Sequence, residues 1–147
     1  MNSNYDIEQK IREFKDTVRA PEYNSVIENL MRKAYENNIQ VYLWSQGYSS
    51  AKDQEPDGIC IVRIDNNPDS GNMNEIIFNL MHELGHCYDP NKLPLADKNN
   101  IILRRGREVR AWQIADHEFN SHPELMAAAQ EYTDFKGKCL ATYMKDE

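Results

Sequence analysis

The segment that most constrains this chain is His82-Glu83-Leu84-Gly85-His86, in which two histidines stand four positions apart. In a helix, residues at this spacing lie about 40° apart around the axis and about 6 Å apart along it, so both imidazoles can approach one ion. Glu83 projects to one side, where a carboxylate can act as a general base without being a ligand. The segment therefore predicts a helix that supplies two metal ligands and a base.

The flanking residues indicate which way this helix faces. At about 100° per residue, the apolar side chains between Ile76 and Leu84 form one stripe, and the two histidines lie on the opposite side. The histidines must then face either solvent or a second packed element. A cleft between two helices would meet the second condition, and the helical periodicity alone leaves both alternatives open.

A third candidate ligand, Glu108, lies on the next predicted helix. It falls within the apolar stripe of that helix, which is formed by Ala111, Trp112, Ala115 and Phe119. A carboxylate on a buried face is costly unless it is paired or bound to a metal. One partner would be an arginine, namely Arg104, Arg105 or Arg110. The other is the ion held by the histidine pair, and the upstream motif favours that alternative.

These residues resemble those of a known group. The run from Asn79 to His86, followed by Glu108-Val109-Arg110-Ala111, resembles the gluzincin pattern of HExxH with a later ExxA. With two early helices and a strand pair before the motif, the chain is most similar to the ImmA/IrrE-type metallopeptidase domain. The resemblance implies that His82, His86 and Glu108 hold zinc and that Glu83 activates water.

The resemblance also implies a place for the substrate. The strand near Ile59–Ile64 would lie beside the cleft, where an extended peptide could add to its edge. Members of this family often cleave a repressor or another regulatory protein. The expected function is therefore a zinc-dependent peptidase that hydrolyses a peptide bond, with a protein or peptide as its partner and a transcriptional regulator as one such substrate.

Two features depart from this pattern or compete with it. Many relatives have Asn or Asp directly after the alanine of ExxA, where this chain has Trp112. Asp89, three residues beyond His86, offers a different oxygen ligand, although an aspartate beside Pro90 is also typical of a turn.

Three further residues are candidates for stabilising an oxyanion, although a structural role is expected for each: Tyr88, His117 and His122.

Two other functional classes remain open. A catalytically silent member of the fold would act as a binding module, for example as a partner in a toxin–antitoxin or repressor complex. An intact Glu83 argues against it, because a purely structural site needs no base there. A structural zinc domain would normally be closed by four protein ligands, often cysteines, and the cysteines here do not cluster with the histidines.

The hydrophobic pattern predicts one α+β domain over residues 1–147, mostly helical, with a small early antiparallel or mixed sheet packed on the HExxH helix. Two stretches rich in β-forming residues predict strands, and the polar segment Ser49–Asp57 between them predicts a loop. Five segments show helical periodicity or helix-start features: Asp6–Arg19, Pro21 to about Asn37, the motif helix, Arg104–Phe119, and a last helix from Ser121.

Charge and cysteine usage narrow the partners and the compartment. The net charge of −7 disfavours direct nucleic-acid binding, which would require a basic face. The N-terminus lacks the pattern of a signal peptide, and no apolar run reaches the roughly 20 residues of a membrane span. Three cysteines without CxxC spacing, Cys60, Cys87 and Cys139, predict reduced thiols in a cytoplasmic protein.

Overall fold

The computed structural model of the protein describes residues 4–54 and 58–144. These residues form the predicted α+β domain, with helices on one three-stranded mixed sheet. None of the described helices is both long and apolar enough to cross a bilayer. The helices are α1 (Ile7–Val18), α2 (Asn24–Glu36), α3 (Asn74–Tyr88), α4 (Ile101–Asn120) and α5 (Ala129–Met144), and the strands are β1 (Ile39–Trp44), β2 (Ser50–Gln54) and β3 (Ile59–Asp65).

Side-chain caps fix the starts of two helices. The Asp6 carboxylate accepts a hydrogen bond from the backbone N–H of Gln9, and the Asn100 side chain accepts one from Leu103. Such caps satisfy backbone donors that have no partner within the helix. The cap at Asn100 explains why α4 begins three residues before the predicted Arg104. The last helix is preceded by a 3-10 segment, Pro123–Ala128.

The sheet differs from the prediction in one strand. Its order is β1-β3-β2, with β3 parallel to β1 and antiparallel to β2. The predicted loop Ser49–Asp57 therefore contains β2, and residues 55–57 lie outside the described part of the chain. Because β3 is paired on both sides, the expectation that a peptide adds to Ile59–Ile64 is wrong, and the outer strands are β1 and β2.

A continuous apolar core lies between the sheet and the helices. The stripe predicted for α3 is fully buried, as Ile76, Leu80 and Met81 show. Helices α3 and α4 pack closely at Gly85, where a methyl group would overlap the carbonyl oxygen of Ala111. Glycine lets two backbones approach in this way. This close crossing brings the face of α4 that carries Glu108 against α3.

The cysteines correct the prediction of three reduced thiols. Cys60 on β3 and Cys87 on α3 form a disulfide, with their Cα atoms 6.3 Å apart and a sequence separation of 27. Only Cys139 is a free thiol among the described residues, and burial raises its pKa to about 11. The pair forms because β3 packs on the end of α3, a tertiary contact that cysteine spacing does not reveal.

Candidate metal centre

The two histidines of α3 point into the interior. His82 and His86 are only 7% and 6% exposed, although both lie opposite the main apolar stripe of their helix. The helical pattern allowed the histidines to face either solvent or a second packed element. In the described structure they face a second element. That element is α4, which makes the most extensive contact with α3.

Glu108 of α4 meets both histidines. Its two carboxylate oxygens lie 3.0 Å from Nε2 of His82 and 2.7 Å from Nε2 of His86. One ligand atom from each of the three residues lies within 4.8 Å of the others, and all three residues are buried. The same atoms of both rings thus converge on one carboxylate, and a single ion can be held among them.

The electrostatics of this cluster are strongly coupled. Burial disfavours the charged form of His82, but hydrogen bonds to Glu108 and Glu83 outweigh it and raise the pKa of His82 to about 9. Burial likewise disfavours the charged Glu108, but hydrogen bonds from His82 and His86 lower the pKa of Glu108 to about 2. When no metal is bound, protonated His82 therefore donates a hydrogen bond to the Glu108 carboxylate and balances its charge.

Glu83 lies on the far side of the His82 ring. Its carboxylate is 3.3 Å from Nδ1 of His82, the nitrogen that faces away from Glu108. A carboxylate at that position fixes the orientation and tautomer of a metal-binding imidazole. In this arrangement Glu83 contacts a predicted ligand, and it is not itself among the three residues that converge.

Two side chains that were not assigned from the sequence interact with the cluster, one by ring stacking and one through its charge environment. The indole of Trp112 stacks on the ring of His82, with centroids 4.4 Å apart and planes 8° apart. Burial, followed by the charges of Glu108 and Glu83, raises the pKa of Tyr143 on α5. The departure from the ExxA pattern at Trp112 could have indicated a role at the site, whereas nothing in the sequence singles out Tyr143.

Arg110, one of the competing partners of Glu108, is engaged with the competing ligand Asp89. Asp89 is 2% exposed, and its carboxylate accepts hydrogen bonds from Nε of Arg110 at 3.0 Å and from the backbone N–H of Asn91 at 2.9 Å. Arg105 donates to the carbonyl oxygen of Tyr143. The described structure thus places Asp89 in an ion pair at the end of α3 and leaves Glu108 to the histidines.

The three oxyanion candidates do not join the cluster as a group. His122 contacts Glu118 at 2.9 Å, and the ammonium of Lys33 lies over the ring of Tyr88. Burial, followed by the charge of Glu118, raises the pKa of Tyr88 to about 12. His122 and Tyr88 therefore belong to the surroundings of Glu118, and no contact links the exposed His117 to the histidine pair within residues 4–54 and 58–144.

Two imidazoles and one carboxylate on well-packed helices form a buried donor set that could hold a metal ion. Nδ1 of His86 is buried without a hydrogen-bond partner among the described residues, so in that part of the chain the ring is held through its Nε2 contact with Glu108. Comparison of the chain with known protein families, with curated proteins and with solved structures finds no match. The geometry of the cluster therefore carries the functional argument.

Proposed function

We propose that this protein is a zinc-dependent peptidase of the ImmA/IrrE type, with His82, His86 and Glu108 as the metal ligands. The observation that carries the proposal is the convergence of both Nε2 atoms on the two oxygens of one buried carboxylate, at 3.0 and 2.7 Å. A proton can hold such a cluster together. A divalent cation, however, can accept electron pairs from all three residues at once. The resemblance of the motif to HExxH with a later ExxA supports the same assignment.

The donor chemistry favours zinc over other common cations. Imidazole nitrogens suit zinc, whereas calcium and magnesium prefer sites made of oxygen ligands. Three protein ligands leave one position for water or substrate, as in catalytic zinc sites. Zinc bound here would supply a Lewis acid and lower the pKa of a water molecule.

Glu83 is the residue of this chain that would move the proton. It stands beside His82 on the same helix, is 7% exposed, and already lies within 3.3 Å of that ring. For this role, its carboxylate must turn away from Nδ1 of His82 to reach a water molecule. Glu83 would then accept a proton from water and deliver it to the leaving amine, a role worth about 10²- to 10⁴-fold in rate.

A second candidate function rests on the same contact. The carboxylate of Glu83 is engaged with His82, which favours a structural role in a silent binding module that retains the metal. Such a module would act as a partner in a toxin–antitoxin or repressor complex. The two functions share the metal and differ in whether Glu83 is needed for cleavage.

The test measures zinc and cleavage separately. Purified wild type should contain about one zinc per chain, and the His82→Ala/His86→Ala double variant should lose it; unchanged zinc would rule out the site. Wild type should cleave members of a pooled library of unstructured peptides, analysed by mass spectrometry. Glu83→Gln should keep zinc and lose at least about 100-fold in rate, with Glu75→Gln on the first turn of α3 as the control. Zinc without any cleavage by wild type would favour the silent module.

A further inference from the structure

A pocket opens beside the candidate metal centre at His86. It has a volume of about 200 Å³, and its walls come from β2, β3, α3, α4 and the segment after α3. Pockets that hold drug-sized molecules measure roughly 300–1,000 Å³, so this one has room for a single side chain or a chain end. Its described lining residues are Ala51, Cys60, His86, Lys92, Leu93 and Arg107.

The charge of this pocket is opposite to that of the protein. The chain carries a net charge of −7, yet the described lining contains a lysine and an arginine and no acidic side chain. The Lys92 ammonium donates to the carbonyl oxygens of His86 and Cys87, at 2.8 Å each. These bonds hold a positive charge at the mouth of the pocket, next to the end of α3.

Arg107 differs from two neighbouring arginines of α4. Arg110 is paired with Asp89, and Arg105 donates to Tyr143. Arg107 is half-buried, and no hydrogen bond or ion pair accompanies its guanidinium within the described part of the chain. A guanidinium removed from water is costly without a counter-charge, and its planar fork matches a carboxylate with two parallel hydrogen bonds.

We propose that this pocket, defined by Arg107, Lys92 and His86, binds a carboxylate of the substrate. The proposal rests on the proposed peptidase function and names its substrate class: peptides with an acidic side chain, or a free carboxyl end, next to the bond that is cut. Because His86 lines the pocket, its occupant lies directly beside the candidate metal ligands. Arg107 is then the residue that determines this specificity.

Direct binding tests the pocket independently of cleavage. The full-length protein, as purified, is titrated with three probes and followed by amide chemical shifts in NMR spectra. N-acetylglutamate α-amide carries a side-chain carboxylate, N-acetylalanine a terminal carboxylate, and N-acetylglutamine α-amide is the neutral isostere. At least one carboxylate probe should bind about 10-fold or more tightly than the neutral probe, as expected for charge-assisted hydrogen bonds, and should shift the amides of Ala51, Cys60 and Arg107.

Variants distinguish carboxylate binding in the pocket from carboxylate binding to zinc. Arg107→Gln should remove the preference for the carboxylate, Arg107→Lys should keep part of it, and Arg12→Gln on exposed α1 should keep all of it. A carboxylate that binds only to zinc would bind Arg107→Gln as tightly as wild type, which would overturn the proposal. Equal binding of neutral and charged probes to wild type would also overturn it. The probe that binds better identifies an acidic side chain or a chain end as the source of the carboxylate.

Cleavage profiles give a second readout. Peptides cut by wild type should be enriched in acidic residues, or in free carboxyl ends, at one position near the cut. Arg107→Gln should lose this enrichment mainly through a higher KM, whereas Arg12→Gln should retain it. The absence of any enrichment in wild type would count against the pocket. If no peptide is cut, the peptidase function fails, and the NMR titration still decides whether the pocket binds carboxylates.

Discussion

The indole of Trp112 lies face to face with the imidazole of His82, with ring centroids 4.4 Å apart and the ring planes within 8° of parallel. A change in the charge or ligation of His82 therefore changes the electrostatic environment of the indole. Zinc should alter the fluorescence of Trp112 because it replaces the proton on His82. The only other tryptophan, Trp44, lies on β1 under the guanidinium of Arg63.

We expect Trp112→Phe to abolish the zinc-dependent change in emission and Trp44→Phe to preserve it. Trp112→Leu should also weaken zinc binding about tenfold, because groups that orient a metal-binding histidine contribute about that much to affinity. Fluorescence titration with zinc measures both effects. An emission change that follows Trp44 would show that zinc binds elsewhere.

The crossing of α3 and α4 can be tested at Gly85. A methyl group there would overlap the backbone oxygen of Ala111, and neither backbone can yield cheaply. Gly85→Ala should destabilise the fold by about 1–3 kcal/mol, as overpacking typically does, and should weaken zinc binding by moving Glu108 from the histidines. Denaturant unfolding and zinc titration measure the two effects.

Gly137 on α5 provides the matched control. A methyl group at Gly137 meets nothing within 4 Å, and alanine is favoured over glycine within a helix by about 1 kcal/mol. Gly137→Ala should therefore keep zinc and stabilise the protein slightly. Equal effects of the two substitutions would contradict the role given to the helix crossing.

The metal-free protein should have a defined pH range of greatest stability. Glu108 has its pKa lowered from 4.5 to about 2, so its contribution is present above pH 4.5 and is lost as the pH falls towards 2. His82 has its pKa raised from 6.5 to about 9, so its contribution is present below pH 6.5 and is lost as the pH rises through 9. Both contributions are complete only between about pH 4.5 and 6.5.

Thermal unfolding in the presence of a chelator, followed from acid to alkaline pH, measures this range. His82→Gln should flatten the alkaline branch, because that branch comes from the proton on His82. Zinc should raise the Tm of wild type more on the alkaline side, since ligands must be deprotonated to bind it. A metal-free Tm that is still rising between pH 7 and 9 would contradict the described coupling.

Asp89→Asn tests whether Asp89 is a metal ligand or only the partner of Arg110. Its carboxylate is held by Arg110 and by the backbone of Asn91, and hydrogen bonds to charged groups contribute about 1.5–3 kcal/mol. The variant should lose stability by that order and retain one zinc per chain. Zinc analysis and urea unfolding of the same preparation decide the point: loss of zinc with unchanged stability would make Asp89 a ligand.

The disulfide between Cys60 and Cys87 should stabilise the fold. Cys60 and Cys87 are 27 positions apart in sequence, and closing a loop of this size stabilises a protein by about 3–4 kcal/mol in the chain-entropy description. Cys60→Ser and Cys87→Ser should each destabilise by that order under non-reducing conditions, and Cys139→Ser should have little effect. Unfolding with and without reductant measures the difference, and identical curves for all three variants would contradict the pairing.

The sequence was sufficient for features that are local or periodic. The spacing of His82 and His86 defined one face of α3, and the apolar stripe around Glu108 indicated that its carboxylate is buried. Each of these two predictions depends on helical geometry alone, and the crossing of α3 and α4 brings the residues together. Strands β1 and β3 were predicted from their β-forming residues, as part of an antiparallel or mixed sheet.

The missed features depend on which elements pack together. β2 is a polar outer strand with Lys52 exposed, so no alternation of apolar residues distinguishes it from a loop. The pairing of Cys60 with Cys87 and that of Asp89 with Arg110 both join residues that are more than 20 positions apart. Neither spacing is characteristic, and only the docking of α3 on β3 and α4 brings the partners together.

The Cys60–Cys87 bond has a consequence for how the two halves of the chain hold together. The covalent ring that it closes contains β3 and nearly all of α3, including His82, Glu83 and His86, whereas Glu108 lies outside it. A single proteolytic nick between α3 and α4 would leave the two fragments joined by packing and by whatever occupies the cluster. Zinc bound there would join the two fragments across the nick, and a chelator would then weaken the hold on the fragment that carries α4 and α5.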